Sequence, residues 1–131
     1  MGRKPPIKKK SNYHHGDLRA ELIQATRDLL ATQDAGTVSI ADACRQAGVS
    51  TAAPYRHFAG KDDLLEAVAI DGIARMAEQM KRGLNHSIPG TNEAVAALGA
   101  AYIQFARTEP NLFRLIFQSC PDPARAERME A

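Results

Sequence analysis

The side chains best suited to chemistry lie in one short segment, from Ser50 to Arg56. Small residues follow the hydroxyl of Thr51, and the aromatic ring of Tyr55 and the guanidinium of Arg56 come last. On one face of a helix this order suits the major groove of DNA, because small side chains let the backbone approach and Arg can donate bidentately to guanine. The segment therefore predicts contact with DNA.

Catalysis is the main alternative use of the polar side chains. The candidates would be a histidine, His57 or His86, with a carboxylate from Asp62, Asp63 or Asp71. The sequence has no nucleophile elbow, phosphate loop, metal pair or convergent polar cluster around them. We therefore predict no catalytic residue and no cofactor. A helical adaptor for other proteins is a second alternative, and a steep salt dependence of binding to mixed-sequence DNA would distinguish the predicted DNA binder from both.

Neither a metal site nor a disulfide is expected. His14 and His15 are adjacent, so their side chains point apart on a chain that enters a helix. Cys44 and Cys120 are far apart, and neither has a second ligand at metal-binding spacing. We predict two free thiols.

The charge is unevenly distributed along the 131 residues. The net charge is +2, but residues 1–60 carry nine Lys and Arg against five Asp and Glu. A basic N-terminal part favours a polyanionic partner. Because no apolar run is long enough to span a bilayer and no secretory signal is present, we predict a soluble, cytoplasmic protein without a membrane partner.

Apolar periodicity predicts a first helix from Asp17 to about Gln33, followed by a loop in which Gly36 supplies a positive φ. Ser39 stands three residues before Asp42, which is an acidic variant of the capping box, so a second helix is predicted over Ile40–Ala47. Gly48 ends that helix.

A third short helix is predicted from Ser50 or Thr51 to about Phe58, with Pro54 in or just beyond its first turn. A long fourth helix opens at Lys61, and its predicted apolar stripe comprises Leu65, Val68, Ala69, Gly72, Met76, Met80 and Leu84.

Two further helices follow a turn at residues 86–91. The fifth is capped by Asn92, and its predicted apolar face comprises Val95, Leu98, Tyr102 and Phe105. The sixth opens at Pro110 and is apolar on nearly every side, as expected of a buried helix that Pro121 and Pro123 end. No strand pattern occurs, so the fold class is all-α.

Two short helices around the tight turn Ala47-Gly48-Val49-Ser50 have the form of a helix-turn-helix. At this turn, at Tyr13-His14-His15-Gly16-Asp17-Leu18-Arg19 and at residues 53–65 (APYRHFAGKDDLL), the chain resembles the tetracycline-repressor (TetR) family of transcription regulators. Residues 108–117 (TEPNLFRLIF) are similar to the opening of that family's ligand-binding domain.

The resemblance implies that Thr51, Ala52 and Ala53 face base edges with Arg56 nearby, and that Tyr55, His57 and Lys61 hold phosphates. Lys61 also lies at a predicted helix N-terminus, where free N–H groups favour a phosphate. The predicted DNA-binding set is Ser39, Ser50, Thr51, Ala52, Ala53, Tyr55, Arg56, His57 and Lys61.

The family pattern is not matched everywhere. Ala41 cannot donate to a base from the second helix, and Ala43 with Cys44 replaces the usual pair of a bulky aliphatic and a small residue. Members of the family also continue through several more helices, the last two of which form the dimer interface. The resemblance therefore predicts a truncated C-terminal domain here and a dimer-forming surface beyond Ala131.

Three segments are predicted: a disordered basic arm over 1–12, a DNA-binding domain over 13–63, and a partial helical effector-binding domain over 64–131. A pocket for a small-molecule effector is predicted among Met76, Met80, Tyr102, Phe105, Phe113 and Phe117. The complete protein is expected to be a repressor that binds a palindromic DNA operator as a homodimer, while residues 1–131 dimerise weakly or not at all.

Overall fold

The computed structural model describes residues 17–119. The predicted basic arm, the Tyr13 to Gly16 motif, Cys120 and the two prolines at 121 and 123 lie outside that range. Within it there are five α-helices and one 3₁₀ helix, and no strand. The elements are α1 (Leu18–Leu30), α2 (Ile40–Ala47), the 3₁₀ helix (Ala53–Arg56), α3 (Lys61–Leu84), α4 (Asn92–Thr108) and α5 (Pro110–Gln118). The all-α prediction is confirmed.

One hydrophobic core runs through the described helices. α1 packs on α2, α3 and α5, and α3 packs on α4 and α5. Every α-helix contributes a fully buried side chain to the same cluster, including Leu22, Cys44, Val68, Phe105 and Leu112. The helix-turn-helix segment and α5 therefore share a core.

The turns follow the sequence closely at two places. Ser39 and Asp42 form the predicted capping box, and α2 has the predicted bounds. Gly48 then adopts φ 70°, a left-handed conformation that glycine enters without steric cost. Gly90 in the turn before α4 has φ 79°.

The predicted positive φ at Gly36 is wrong, because Gly48 and Gly90 are the positive-φ glycines of the described chain. The loop is held by side-chain bonds instead: Asp34 Oδ1 accepts from the Gly36 N–H at 2.8 Å. An Asx turn of this kind reverses the chain without the left-handed region. α1 also ends at Leu30, earlier than predicted.

The start of α4 and its apolar face also differ from the prediction. Thr91, not Asn92, is the N-cap, and its hydroxyl accepts from the Ala94 N–H at 3.2 Å. Val95 is 67% exposed and belongs to the outer face, while Ala94 is buried in its place. In α5, Phe117 is 55% exposed, so that helix is buried on one side only.

No helix in residues 17–119 is long and apolar enough to cross a membrane.

Candidate nucleic-acid interface

α2 is fixed at both ends by local bonds. The Ser39 hydroxyl accepts from the Asp42 N–H at 3.0 Å, and the Asp42 carboxylate accepts from the Ser39 N–H at 3.1 Å. At the other end the Val49 N–H donates to the Cys44 carbonyl at 3.0 Å. The Gly48 turn then sends the chain into the 3₁₀ helix, so α2, the turn and the 3₁₀ helix form a compact helix-turn-helix.

The third helix is shorter and tighter than predicted. The sequence predicts a helix from Ser50 or Thr51 to Phe58, but only Ala53–Arg56 is helical, and it is 3₁₀. Pro54 explains the difference, because it has no N–H to donate to Ser50 four residues earlier. The Ala53 N–H donates to the Ser50 carbonyl instead, at 3.1 Å across three residues.

Two buried residues orient the exposed ones on this 3₁₀ segment. Pro54 and Phe58 are buried in the domain, whereas Tyr55, Arg56 and His57 between them face solvent. Tyr55 is 63% exposed, which is unusual for a large aromatic ring. The segment therefore presents a phenol, a guanidinium and an imidazole together on the surface.

The small residues that precede them are also accessible. Thr51 and Ala52 are exposed and Ala53 is half-buried. Ser50 is exposed, and its hydroxyl accepts from the Ala52 N–H at 3.3 Å. The structure thus brings seven neighbouring members of the predicted set, residues 50–53 and 55–57, to one segment of the surface.

The remaining two members already have structural partners. Ser39 is half-buried and caps α2. Lys61 is half-buried at the start of α3, and its ammonium donates to the Gly36 carbonyl at 2.9 Å. An ammonium carries three donors, so Lys61 keeps capacity for a further acceptor. Both residues hold the helix-turn-helix in shape.

Sequence spacing did not reveal the contribution of Arg19. Its guanidinium carbon lies 5.6 Å from the centroid of the Phe58 ring, a cation–π distance that places a positive charge beside the 3₁₀ helix. Arg19 and Phe58 are distant in sequence, so only the packing of α1 against this segment joins them.

Two ionisable groups in α2 have shifted pKa values. Hydrogen bonds hold the pKa of Asp42 below its usual range. The Ser39 hydroxyl has the largest effect, the Ser39 N–H the next, and Arg45 a smaller one. Burial raises the pKa of the Cys44 thiol, which keeps that core position uncharged. Cys44 is a free thiol, as predicted.

The predicted effector residues divide between the core and a surface cluster. Phe105 is 1% exposed and belongs to the core, against which Met76 packs. Tyr102 lies edge-on to Phe113 with ring centroids 5.4 Å apart, and Phe113 is 4.7 Å from Phe117. Met80 is half-buried on α3.

The grooves are open to solvent. A groove of about 320 Å³ between α3 and the α4–α5 junction has Phe105 in its wall together with Arg75, Arg82 and Glu109. A wider cleft of about 980 Å³ separates α1 from the end of α2, and the six predicted effector residues do not line it. No group of three or more potential metal ligands occurs among residues 17–119.

Part of the chain is similar to a known protein family. Residues 22–68, from α1 into α3, match the family described as "Bacterial regulatory proteins, tetR family". An uncharacterised HTH-type transcriptional regulator of Haemophilus influenzae is 27% identical over 86% of this chain and 55% of its own length. The HTH-type transcriptional regulator AlkX of Mycobacterium tuberculosis is 24% identical over 76% of this chain and 47% of its own. The chain spans about half the length of these curated relatives.

Solved structures share the fold. A protein of unknown function from Rhodococcus sp. RHA1 superposes with a TM-score of 0.73 and 32% identity, over 87% of this chain and 59% of that one. The TetR-family repressor AlkX from a Dietzia strain, described as implicated in biodegradation of n-alkanes, gives a TM-score of 0.62 at 22% identity. That match covers 88% of this chain and 60% of AlkX.

Proposed function

We propose that this chain is a sequence-specific DNA-binding regulator of transcription, because its residues 22–68 match the tetR family of bacterial regulatory proteins and the curated proteins it resembles are HTH-type transcriptional regulators. The observation that carries the proposal is the outward presentation of Tyr55, Arg56 and His57 between the buried Pro54 and Phe58. Donors aimed at solvent from a rigid segment suit phosphates and base edges.

The exposed residues divide into two proposed roles. Thr51, Ala52 and Ala53 lie at base edges in the major groove, with Arg56 near enough to donate to guanine. Tyr55 and His57 contact phosphates, which position the protein without reading sequence. Their place on one surface segment supports this division.

Four further residues assist the interface. Ser50 lies at the entrance to the segment, and Ser39 and Lys61 face the same partner while holding α2 and the α1–α2 loop. Lys61 is at the first position of α3, where the helix dipole adds to its attraction for a phosphate. Arg19, beside Phe58, adds positive charge.

The complete protein is proposed to act in the cytoplasm as a homodimeric repressor on a palindromic operator. A single short recognition element buries little surface, so two copies are needed for useful specificity. A two-fold dimer would place them about 34–36 Å apart, or somewhat further, on successive turns of B-DNA.

A small-molecule effector is proposed to control DNA binding. The aromatic cluster of Tyr102, Phe113 and Phe117 supports this proposal, with Met76, Met80 and Phe105 alongside, because aromatic and thioether side chains adapt to apolar ligands. Such a ligand must bind two orientations of α3 with different affinity, since equal affinity shifts no population.

Selection of bound sequences from a random DNA pool by the complete protein tests the proposal. We expect enrichment of a palindromic sequence and an affinity that falls steeply with salt, because phosphate contacts release counterions. Gln118→Ala, at an exposed position at the end of α5, is the matched control and should leave both unchanged. Retention of no sequence at low salt would contradict the proposal and favour a helical protein-binding adaptor.

A further inference from the structure

A polar junction connects the beginning of α5 to the end of α1. The side-chain amide of Asn111 donates from Nδ2 to the carbonyl oxygen of Leu30 at 2.8 Å. Leu30 is the last residue of α1, and the last four carbonyls of an α-helix have no N–H partner inside the helix. A donor is also favoured there by the negative end of the helix dipole. Asn111 therefore caps α1 from 81 residues away.

Arg114 extends this junction to the α1–α2 loop. Its guanidinium donates from Nη1 to Asn111 Oδ1 at 3.4 Å, which orients the amide with its NH₂ group toward Leu30. The same nitrogen lies 3.7 Å from Asp34 Oδ2. The other oxygen of Asp34 accepts from the Gly36 N–H at 2.8 Å, so the carboxylate that pairs with α5 also shapes the loop.

The loop is held from its other side by α3, because Lys61 donates to the Gly36 carbonyl at 2.9 Å. It leads directly into Ser39 and the capping box that begins α2. The placement of α2 therefore depends on contacts from both α5 and α3.

The residues that would sense a ligand are on the same short helix as this junction. Phe113 and Phe117 alternate with Asn111 and Arg114 along α5, and Phe113 contacts Tyr102 of α4. α5 has nine residues, and Phe113 lies within one turn of both Asn111 and Arg114. A displacement at Phe113 would thus reach Leu30 and Asp34 directly.

We propose that Asn111 is a positioning residue that couples α5 to the helix-turn-helix by capping α1, with Arg114 orienting its amide. This route does not pass through the length of α3. It rests on the proposed function, since the placement of α2 matters to DNA binding only if the chain binds DNA.

Hydrogen exchange of the 131-residue chain tests the coupling without DNA. The reporter amides are Gln33, Gly36 and Thr37, which donate to Leu29, to the Asp34 carboxylate and to the Asp34 carbonyl. In Asn111→Ala we expect these amides to exchange about fivefold faster, the effect of losing one hydrogen bond of ordinary net strength. Amides in the middle of α4 should not change. Gln118→Ala, on the same helix, is the control and should leave all of them unchanged.

Two more variants separate positioning from general destabilisation. Asn111→Asp keeps the shape but turns an acceptor toward the Leu30 carbonyl, so it should accelerate the reporters at least as much as alanine. Arg114→Gln should give a smaller acceleration at the same amides, because its pair with Asp34 is exposed and weak. If an Asn111 variant loses its helical circular dichroism, Arg114→Gln decides the question.

The effect of Asn111→Ala on DNA affinity is a separate measurement. Asn111→Ala should weaken binding to the selected sequence by about fivefold at an unchanged salt slope, because no phosphate contact is removed. Unchanged reporters in a folded Asn111→Ala variant, or equal acceleration in every helix, would overturn the coupling. If the reporters accelerate but the wild-type chain binds no DNA, the proposed function fails while the capping of α1 by Asn111 stands.

Discussion

Individual residues of the 3₁₀ segment have opposite environments although they are neighbours in sequence. Pro54 and Phe58 are buried and anchor the backbone on either side, whereas the side chains of Tyr55 and Arg56 are exposed to solvent. Substitution of the exposed pair should therefore affect binding rather than folding, since neither contributes much buried area.

Arg56→Ala and Tyr55→Ala should weaken DNA binding in different ways. We expect Arg56→Ala to cost about 1–3 kcal/mol on the selected sequence and much less on random DNA, as for loss of a bidentate contact to guanine. Tyr55→Ala should weaken binding to both alike, because a phosphate contact reads no sequence. Titrations of each variant against the two DNAs measure the difference. Equal losses for Arg56→Ala on both would reject its base-reading role.

Asp42 should make stability depend on pH. Its pKa is lowered in the folded chain by the bonds from Ser39, so its contribution is fully present above the ordinary value of 3.8 and is lost as the pH falls through the lowered pKa. We expect the free energy of unfolding, measured in urea, to be higher for wild type than for Asp42→Asn near neutral pH, and we expect this gap to close in acid. Ser39→Ala should reduce the gap, because the Ser39 hydroxyl has the largest effect in lowering the pKa of Asp42. A gap that is constant with pH would contradict this assignment.

At the scale of whole elements, two helical glycines differ in their surroundings: Gly72 lies at a close contact between helices, whereas Gly99 does not. Gly72 in α3 faces α5, where an added Cβ would lie 2.9 Å from Leu112 Cδ1 and 3.0 Å from Ile116 Cδ1. Gly99 in α4 has nothing within 4 Å of such an atom. Helix propensity favours alanine at both sites, so packing alone distinguishes them.

Gly72→Ala and Gly99→Ala should change stability in opposite directions. Overpacking a core costs about 1–3 kcal/mol, which exceeds the gain of about 1 kcal/mol from replacing glycine in a helix, so Gly72→Ala should be destabilising. Gly99→Ala should gain about 1 kcal/mol. Urea unfolding of the two variants compares them directly. Stabilisation by both would mean that α5 shifts away from α3 without cost.

For the molecule as a whole, the core is continuous but one surface is apolar. Val95 and Ile103 lie two turns apart on α4 and are 67% and 58% exposed, and Gly99 lies between them. Apolar side chains on one exposed face reduce solubility because they associate with other apolar surfaces.

Replacement of Val95 and Ile103 together by lysine should raise the concentration at which the chain stays monodisperse and leave its midpoint of thermal unfolding nearly unchanged. The physical reason is that both side chains are exposed, so little buried area is lost. Sedimentation velocity over a concentration series measures the first effect. Leu112→Lys is the contrasting control, since a charge in the core should abolish folding. Identical sedimentation of wild type and double variant would show that this face does not drive association.

The sequence by itself determined the features that depend on local chemistry. Ser39 and Asp42, three residues apart, specify the capping box, Gly48 specifies the left-handed turn, and Pro110 begins α5. The bounds of α2 and the all-α class follow from the same signals, because caps and periodicity act within one or two turns of the chain.

Tertiary structure decided the contacts between distant segments. It pairs Asn111 with the Leu30 carbonyl and Arg19 with Phe58, and it buries Phe105 while leaving Val95 exposed. It also lets the Asp34 carboxylate, rather than a positive φ at Gly36, shape the α1–α2 loop. None of these contacts can be predicted from sequence spacing. A pattern of apolar and polar residues predicts that one face of a helix is buried, but it does not predict which distant helix packs against that face.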